Sequence, residues 1–572
     1  MPHRAHLNTV RLASAIRQSC LRETYGLRKL TQDVLAGMTV GVIAIPLSMA
    51  LAIASGVAPQ HGLYTAMIAG AVIALAGGSR YSVSGPTAAF VVILYPVAQH
   101  FGLAGLLVAS LIAGVTMIAM AIARLGRLIE YISEPVTLGF TAGIAVVIAT
   151  LQIKDLLGLP IGELPAAYLG KVTRIAQALP ALDWANALVG AGTLAVLVLW
   201  PRLRLRVPGH LPAVLVGVGL ALVLTKAGHP VETIGSRFTF TLADGTTGRG
   251  IPPVLPELAW PWSQPGPDGQ PVDWSWQTLR QLLPPAFSIA MLGAIESLLC
   301  AVVLDGMTGR RHHANDELLG QGIGNVIVPF FGGITATAAI ARSTANYRAG
   351  AQSPISSVVH ALVVMAGLLV LAPWLSYLPM ASMAALLMLV AWNMSEAHKV
   401  VRLLRRAPSG DILVLLTCLS LTVLMDMVIA ISVGVVLASL LFMRDISRMT
   451  LVSDITHSSK HVGRSLPPGW AVYKLSGPLF FAAADRVFSE LGREAEGKSG
   501  IVLYMDGVPL LDAGGLSAFE RFLATMDDAG TQVIVADLQF QPLRTLARAK
   551  VQPVPERLTF SPTLEAGLKA VA

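Results

Sequence analysis

Long apolar runs, broken by glycine, proline and short charged clusters, fill the chain from about Gly37 to Met443. Fourteen can be counted, starting near residues 37, 62, 83, 102, 135, 185, 209, 284, 318, 336, 355, 378, 410 and 427. Several fall short of the ~20 residues a helix needs to cross a bilayer, notably the third and the tenth. Beyond Arg444 the pattern changes to a strand-like run Trp470 to Phe481, a helical stretch near Ala483 to Glu496, then Ile501 to Asp506, Gly515 to Met526 and Val533 to Asp537. Such alternation predicts a small α/β domain. The expected organisation is a basic segment over 1–32, an α-helical polytopic membrane domain over 33–443, a linker over 444–466 and the α/β domain over 467–572.

A chain that starts in the cytoplasm returns there after every even crossing and concentrates Lys and Arg in those loops. The even loops carry Arg80, then Arg124 and Arg127, then Arg202, Arg204 and Arg206, then Arg310 and Arg311, and finally Lys399, Arg402, Arg405 and Arg406. The odd connection near Met425 has none. The longest odd loop, about 227 to 283, has no lysine, only Arg237, Arg249 and Arg280, and holds Trp260, Trp262, Trp274 and Trp276, as expected of an external interfacial loop. Lys154, Lys171 and Arg174 fall outside in this scheme and run against it. Residues 1–32 hold six Lys and Arg against Glu23 alone and lack the apolar core of a signal peptide. They are expected to stay in the cytoplasm, as an amphipathic surface helix or a solvated basic tail. With both ends of the membrane domain inside, the α/β domain is cytoplasmic too.

Composition excludes an ordinary soluble enzyme, because 54% of the residues are hydrophobic and 13% charged, against roughly 25% charged in soluble chains. The net charge of +8 belongs to loops beside a membrane, not to a nucleic-acid-binding face. Cys20, Cys300 and Cys418 make no disulfide framework. No catalytic nucleophile, metal cluster or Walker-type phosphate loop is visible, so the chain reads as a non-enzyme that draws on an ion gradient.

Two elements repeat each other at corresponding places of the two seven-segment halves. The third run opens with Ser82-Val-Ser-Gly-Pro-Thr-Ala-Ala-Phe90 and the tenth with Gly332-Gly-Ile-Thr-Ala-Thr-Ala-Ala-Ile340. Both predict short helices that begin inside the bilayer, where broken backbone is tolerated only along a cavity. Their N-termini offer free N–H groups and positive dipole ends, which point to an anion; the competing explanation is that small residues merely allow close helix packing. Glu296, deep in the eighth run, can carry a coupling proton or, ionised, hold a cation beside the anion, unless it is a structural hydrogen-bonded group. Arg342 lies seven residues after Thr335, about two helical turns along the same face. There it can neutralise a substrate carboxylate or pair with Glu296, or else snorkel to the cytoplasm near the helix end.

The remaining polar residues carry less. Asp426 reads as a loop or cap residue, His312 and His313 as part of a solvated charged loop, His360 as unassigned, and Asp33 as a cap of the first span. Val508-Pro-Leu-Leu-Asp-Ala-Gly-Gly-Leu516 places Asp512 and a glycine pair ahead of a helix, a structural turn more than a phosphate site.

The run Gly41-Val-Ile-Ala-Ile-Pro-Leu-Ser-Met-Ala50, then Gly56-Val-Ala-Pro-Gln-His-Gly-Leu-Tyr64, the Ser-Gly-Pro-Thr element, Gly320-Gln-Gly-Ile-Gly-Asn325 and Arg342-Ser-Thr344 resemble the signature of the SulP/SLC26 anion transporters over essentially the whole chain. Leu304-Asp-Gly-Met-Thr308 and Ala391-Trp-Asn-Met-Ser-Glu-Ala-His398 are similar in wording to enterobacterial C4-dicarboxylate-carrying members of that family. The resemblance implies fourteen segments in two inverted seven-segment repeats, a core domain moving against a gate domain, a cytoplasmic STAS domain and a homodimer in a bacterial inner membrane. It places the anion between the third and tenth segments, at Thr87, Ala88, Thr335, Ala336 and Thr337, with a carboxylate at Glu296 serving sodium in some members and a proton in others. Leu47 departs from a glutamine common in relatives, which puts substrate contacts from the first segment in doubt. Asp512-Ala-Gly514 lacks the phosphorylatable Ser/Thr of the STAS turn, so a phosphoserine switch at Ala513 is excluded. By resemblance the STAS domain is regulatory and a possible site for an acyl carrier protein.

Taken together, the expectation is a proton-coupled importer of C4-dicarboxylates such as succinate, fumarate or aspartate, lipid-embedded and with no cofactor. Glu296 takes the proton; the half-helix ends, the threonines and Arg342 hold the carboxylates. Two alternatives stand beside it. One keeps the fold and carries bicarbonate, sulfate or chloride with sodium coupling or exchange. The other is an anion-binding membrane sensor that signals through STAS.

Overall fold

The computed structural model describes residues 10–126, 132–162, 164–165, 167–203, 208–241, 245–267, 269–425, 427–463 and 465–571, in two compact units, Met1–Val435 and Val436–Ala572. Arg127, Arg204, Arg206 and Asp426 lie outside the described residues. The fourteen apolar runs occupy thirteen helices: α1 (Leu27–Ala54), α2 (Pro59–Ala76), α3 (Ala88–Ile122), α4 (Glu134–Leu156), α5 (Trp184–Leu199), α6 (His210–Lys226), α7 (Trp276–Thr308), α8 (Ala314–Ile327), α9 (Ile340–Arg348), α10 (Ile355–Leu375), α11 (Met380–Met394), then, after a short amphipathic α12 (Ala397–Arg406), α13 (Ser409–Leu424) and α14 (Met427–Arg448). The third and fourth runs share α3, which breaks at Gly102 with φ +64°. A Cβ there would fall 2.3 Å from the Gly266 backbone of the long external loop, so only glycine fits.

Two packed groups emerge in the first unit. Helices α1, α2, α3, α7, α8, α9 and α10 pack on one another as the core bundle, and α4, α5, α6, α11 and α13 as the gate bundle. Close approach between core helices is made by glycine: a Cβ on Gly320 of α8 would sit 2.5 Å from Gly77, and one on Gly322 would sit 2.8 Å from the backbone of Ile118 in α3. At the middle of the core bundle two extended pieces, β1 (Ser84–Gly85) and β2 (Thr337–Ala338), pair antiparallel, Ser84 opposite Ala338 and Gly85 opposite Thr337.

Among the described residues of the N-terminal segment, Ser14–Arg22 is helical and is tied to the core bundle. Ala13 N–H donates to Ala76 O (2.9 Å), Ala15 N–H to Gly77 O (3.3 Å) and Arg11 N–H to Asp316 Oδ1 (2.7 Å), while Ser19 is buried. Glu23 then binds Arg80 (2.6 Å) and Arg310 (2.9 Å). These two arginines come from different even loops, so the structure gathers those loops on one side, as the charge distribution requires. The Arg80 hydrogen bond, joined by the charges of Arg80 and Arg310, holds the Glu23 carboxyl down to about 2. The depressed value means that the latch is present above the usual carboxylate range and lost only as pH falls through about 2, so neutral-range pH does not open it.

Asp33 does not cap the first span, which begins at Leu27. It is fully buried and accepts instead from Gln352 N–H (2.6 Å), Ser353 N–H (3.1 Å), Ser353 Oγ (2.6 Å) and Tyr25 Oη (2.7 Å), which ties α1 to the residues just ahead of α10. Replacing it by alanine leaves these donors without an acceptor. Asp33→Ala is expected to destabilise the core bundle by about 3 kcal/mol or more, read as a lower thermal midpoint of the purified protein; an unchanged midpoint contradicts this.

The second unit is an α/β domain. Its sheet runs β3-β4-β5-β6-β7, built from Leu451–Asp454, Trp470–Ser476, Gly500–Gly507, Gln532–Ala536 and Leu558–Ser561, with β3 antiparallel to β4 and the rest parallel. The central strands are apolar on both faces because helices cover them. Among these, α15 (Ala484–Glu494) and α16 (Ala513–Asp528) bury Phe488, Phe519 and Phe522 against the sheet. Asp512 is the N-cap of α16, its carboxylate accepting from Gly515 N–H (2.7 Å) and Phe481 N–H (3.2 Å). An aspartate already occupies the donors a phosphate would need, so the turn is structural.

Candidate anion-binding site

The site grows from the β1–β2 crossing. Two residues past Gly85, Thr87 is the N-cap of α3, and two past Ala338, Ile340 opens α9. The tenth segment therefore differs from the sequence expectation: Thr335 and Ala336 are not helical, Thr337 lies in β2, and helix begins only at Ile340. The two helical turns expected between Thr335 and Arg342 are absent; Arg342 sits in the first turn of α9 and is 3% exposed, which rules out snorkelling.

Thr87 does not cap its own helix. Its hydroxyl donates to Glu296 Oε2 at 2.9 Å, across the bundle from α7. One residue earlier, Pro86 O accepts from Arg342 Nη2, while Nε and Nη1 of that buried guanidinium have no partner among the described residues. A Cβ at Gly85 would lie 2.7 Å from Arg342 Nη1, so glycine there is what lets the guanidinium reach the crossing. A carboxyl group and a guanidinium thus meet the chain on either side of the Pro86–Thr87 link. Glu296 is half-buried, while Thr87, Ala88, Ala336 and Arg342 around it are buried. The first N–H groups of α3, at Ala88 and Ala89, have no helical carbonyl to bond and face the same region.

The other two threonines are already used. Thr335 Oγ1 bonds Ser110 Oγ of α3 (2.5 Å), and Thr337 Oγ1 bonds Ser297 Oγ (2.6 Å) and donates to Gly293 O (3.1 Å) of α7. Their hydroxyls brace the crossing, and the backbone of Ala336 is held as well: Asn325 Oδ1 accepts its N–H (2.8 Å) and Asn325 Nδ2 donates to its C=O (2.8 Å). One turn earlier on α8, Gln321 Nε2 donates to Ser84 Oγ (3.0 Å), and Glu317 accepts from Gly78 N–H (3.0 Å) and Ser79 N–H (2.9 Å). On the outer side His61 Nδ1 lies 2.6 Å from Gly332 O, and Thr65 Oγ1 accepts from Ile334 N–H (2.7 Å).

The sulfate permease family matches residues 30–418, and the STAS domain matches residues 465–567. The chain belongs to the sulfate permease family. It is 39% identical over 524 residues, 91% of this chain and 94% of the other, to a protein of Bacillus subtilis named the putative sulfate transporter YvdB. It is 27% identical over 549 residues, 92% of this chain and 91% of the other, to the bicarbonate transporter BicA of Picosynechococcus. The fold matches that of SLC26A9 with a TM-score of 0.81 at 18% identity, over 98% of this chain and 92% of that one, and the transmembrane domain of a cyanobacterial BicA with 0.61 at 26% identity, over 73% and 98%. As a member of this family the chain is a multi-pass membrane anion transporter with a C-terminal STAS domain.

These relatives are named for sulfate and bicarbonate, not for a dicarboxylate. The residues behind the dicarboxylate resemblance explain the discrepancy. Leu304–Thr308 forms the last turns of α7, where Asp305 binds His312 (2.8 Å) and Thr308 binds Arg310 N–H (3.2 Å). Ala391–His398 spans the turn from α11 into α12, where Glu396 takes a left-handed φ of +43°. Both cap helix ends on the side of the even loops, and neither reaches the crossing. His312 is thereby held by Asp305 and largely buried, not solvated. His360, fully buried beside Gly70, has no partner for either ring nitrogen among the described residues. Leu47 packs in the apolar core.

The braces Asn325 and Gln321 were visible in the sequence only as letters of a signature. The signal was two amides four residues apart in the apolar stretch from Leu318 to Ile327, where one face must find polar partners.

Proposed function

We propose that this chain carries a small divalent oxyanion, sulfate by preference, together with a proton held on Glu296. The observation behind this reading is the meeting of Glu296, Thr87 and Arg342 at the N-terminus of α3. Each helix N-terminus is equivalent to roughly +0.5 charge, so the ends of α3 and α9 together supply about +1. Arg342 adds one full charge. With Glu296 protonated the site is near +2 and matches a dianion; with Glu296 ionised it is near +1 and does not. Proton and dianion therefore favour each other's binding at this site. The name of the 39% identical relative supports sulfate within that class. A monovalent anion with sodium at an ionised Glu296 is the second reading, favoured by the relative named for bicarbonate. C4-dicarboxylates remain as competitors in the test, without support from residues at the crossing.

Alternating access follows if the core bundle, which carries every residue of the site, moves against the gate bundle. The test is uptake of labelled sulfate into proteoliposomes in sodium-free buffer, with an inward proton gradient and with none. Gradient-dependent accumulation that excess sulfate suppresses, and that bicarbonate and succinate leave largely intact, is expected. Uptake that requires sodium or is blocked by bicarbonate moves the assignment to the second reading. Anion binding without any flux would turn the membrane domain into a sensor.

A further inference from the structure

Helix α12 joins α11 to α13 in the gate bundle, and none of its residues is buried. Its side chains segregate by face. At helical spacing Ala397, Val400, Val401 and Leu404 fall on one side, and His398, Lys399, Arg402, Arg405 and Arg406 on the other. A helix so divided, with Val401 and Leu404 of its apolar side exposed beside half-buried Ala397 and Val400, belongs in the plane of a membrane interface. Its surroundings place it there. Trp392, in the last turn of α11, is 69% exposed, as an interfacial anchor is. The left-handed turn at Glu396 redirects the chain, and α13 then presents exposed Leu413 and Leu416 at its start.

The basic face carries a shallow, open groove. His398, Val401, Arg402, Arg405 and Arg406 line a groove of about 400 Å³. Lys399 is bound to Glu396, but Arg402, Arg405 and Arg406 have no ion pair or hydrogen-bond partner among the described residues. Three uncompensated guanidinium groups in a concave surface fit a phosphate, which they can hold through paired N–H donors. The apolar face beside them, with Val401 44% and Leu404 39% exposed, fits acyl chains. The helix also lies among the even loops, next to the cytoplasmic leaflet where anionic lipids collect.

We infer that α12 is a binding site for an anionic phospholipid of the cytoplasmic leaflet, its phosphate in the groove between Arg402, Arg405 and Arg406 and its chains against Val401 and Leu404. The lipid fastens the gate bundle to the interface while the core bundle moves. The test is native mass spectrometry of the full-length protein in detergent holding phosphatidylglycerol and phosphatidylcholine in equal amounts. The unaltered protein retains phosphatidylglycerol in preference. Each juxtamembrane cation contributes about a fivefold factor, so Arg405→Gln lowers the preference about fivefold and the Arg402→Gln, Arg405→Gln, Arg406→Gln triple variant about a hundredfold. The corresponding triple lysine variant, which keeps the charges but not the paired donors, falls between the unaltered protein and the triple glutamine variant. Since no α12 side chain is buried, the thermal midpoint stays unchanged and confirms that the variants are folded. Equal retention of the two lipids by the unaltered protein overturns the inference, as does an undiminished preference in the triple glutamine variant. Displacement of the lipid by the same concentration of glycerol phosphate also overturns it, because the groove then serves a soluble anion.

Discussion

On the proposed reading, Glu296→Gln is expected to abolish concentrative sulfate uptake driven by a proton gradient and to leave sulfate counterflow close to its original rate. The amide is the same shape as the protonated acid, and its carbonyl can still accept from Thr87 Oγ1, which donates to the carboxylate across 2.9 Å in the native protein. The site is then fixed in the state of about +2 charge that matches a dianion. Loaded carriers can still cross, so exchange of labelled for unlabelled sulfate continues. What is lost is the proton that would accompany net movement. At zero membrane potential a gradient of one pH unit is worth about 1.4 kcal/mol, or about tenfold accumulation for one coupled proton. The unaltered protein is expected to approach that ratio and the variant to stop at equality. Measured internal sulfate in valinomycin-clamped vesicles decides it. Retained accumulation in the variant removes Glu296 as the proton carrier, and loss of counterflow as well makes it a structural or binding group.

How far the sequence could lead is seen best at the two half-helices. Their repetition in both halves exposed the third and tenth segments, because small and hydroxyl residues beside glycine or proline stand out inside apolar runs. The charge of the even loops was equally legible, and Arg80 and Arg310 do come together, at Glu23. What stayed hidden was where the helix resumes in the tenth segment. Thr335 to Ala339 has the composition of a helix start, yet antiparallel pairing with Ser84 and Gly85, and Asn325 on the backbone of Ala336, hold it extended. Ser84 and Gly85 lie about 250 residues from their partners Ala338 and Thr337, and Asn325 lies 11 from Ala336. No local pattern reports them. The same limit applies to Asp33, whose donors at Gln352 and Ser353 lie more than three hundred positions along the chain. A helix-start reading was reasonable for its neighbours in sequence and wrong for its neighbours in space. The cargo is not legible in the same way. The wording closest to dicarboxylate carriers belongs to helix ends that never touch the anion site, so similarity there reports on folding of the loops and not on cargo.

Asn325→Ala is expected to raise the Km for sulfate at least tenfold while the protein remains folded. In the native site the Asn325 amide meets both backbone groups of Ala336, and Nδ2 also donates to Gln321 O at 2.9 Å. With alanine, the N–H and C=O of Ala336 are buried without these partners, each at a cost of about 1–3 kcal/mol. The crossing can recover part of that by letting the extended chain shift toward water or toward the void left by the side chain. A shift there moves Thr337 and, three residues beyond Ala339, Arg342, whose guanidinium reaches Pro86 O only because the crossing is closed. The charge pattern around Glu296 then has to be rebuilt each time an anion binds, and about 1.4 kcal/mol of that reorganisation is already tenfold in affinity. Asn325→Asp separates positioning from volume. It keeps the acceptor for Ala336 N–H but turns an oxygen toward Ala336 O and Gln321 O, so it is expected to be at least as damaging as alanine. A Km for either variant within twofold of the native value, with an unchanged thermal midpoint, would show that β2 holds its shape without Asn325 and that the anion is bound by groups other than those at the crossing.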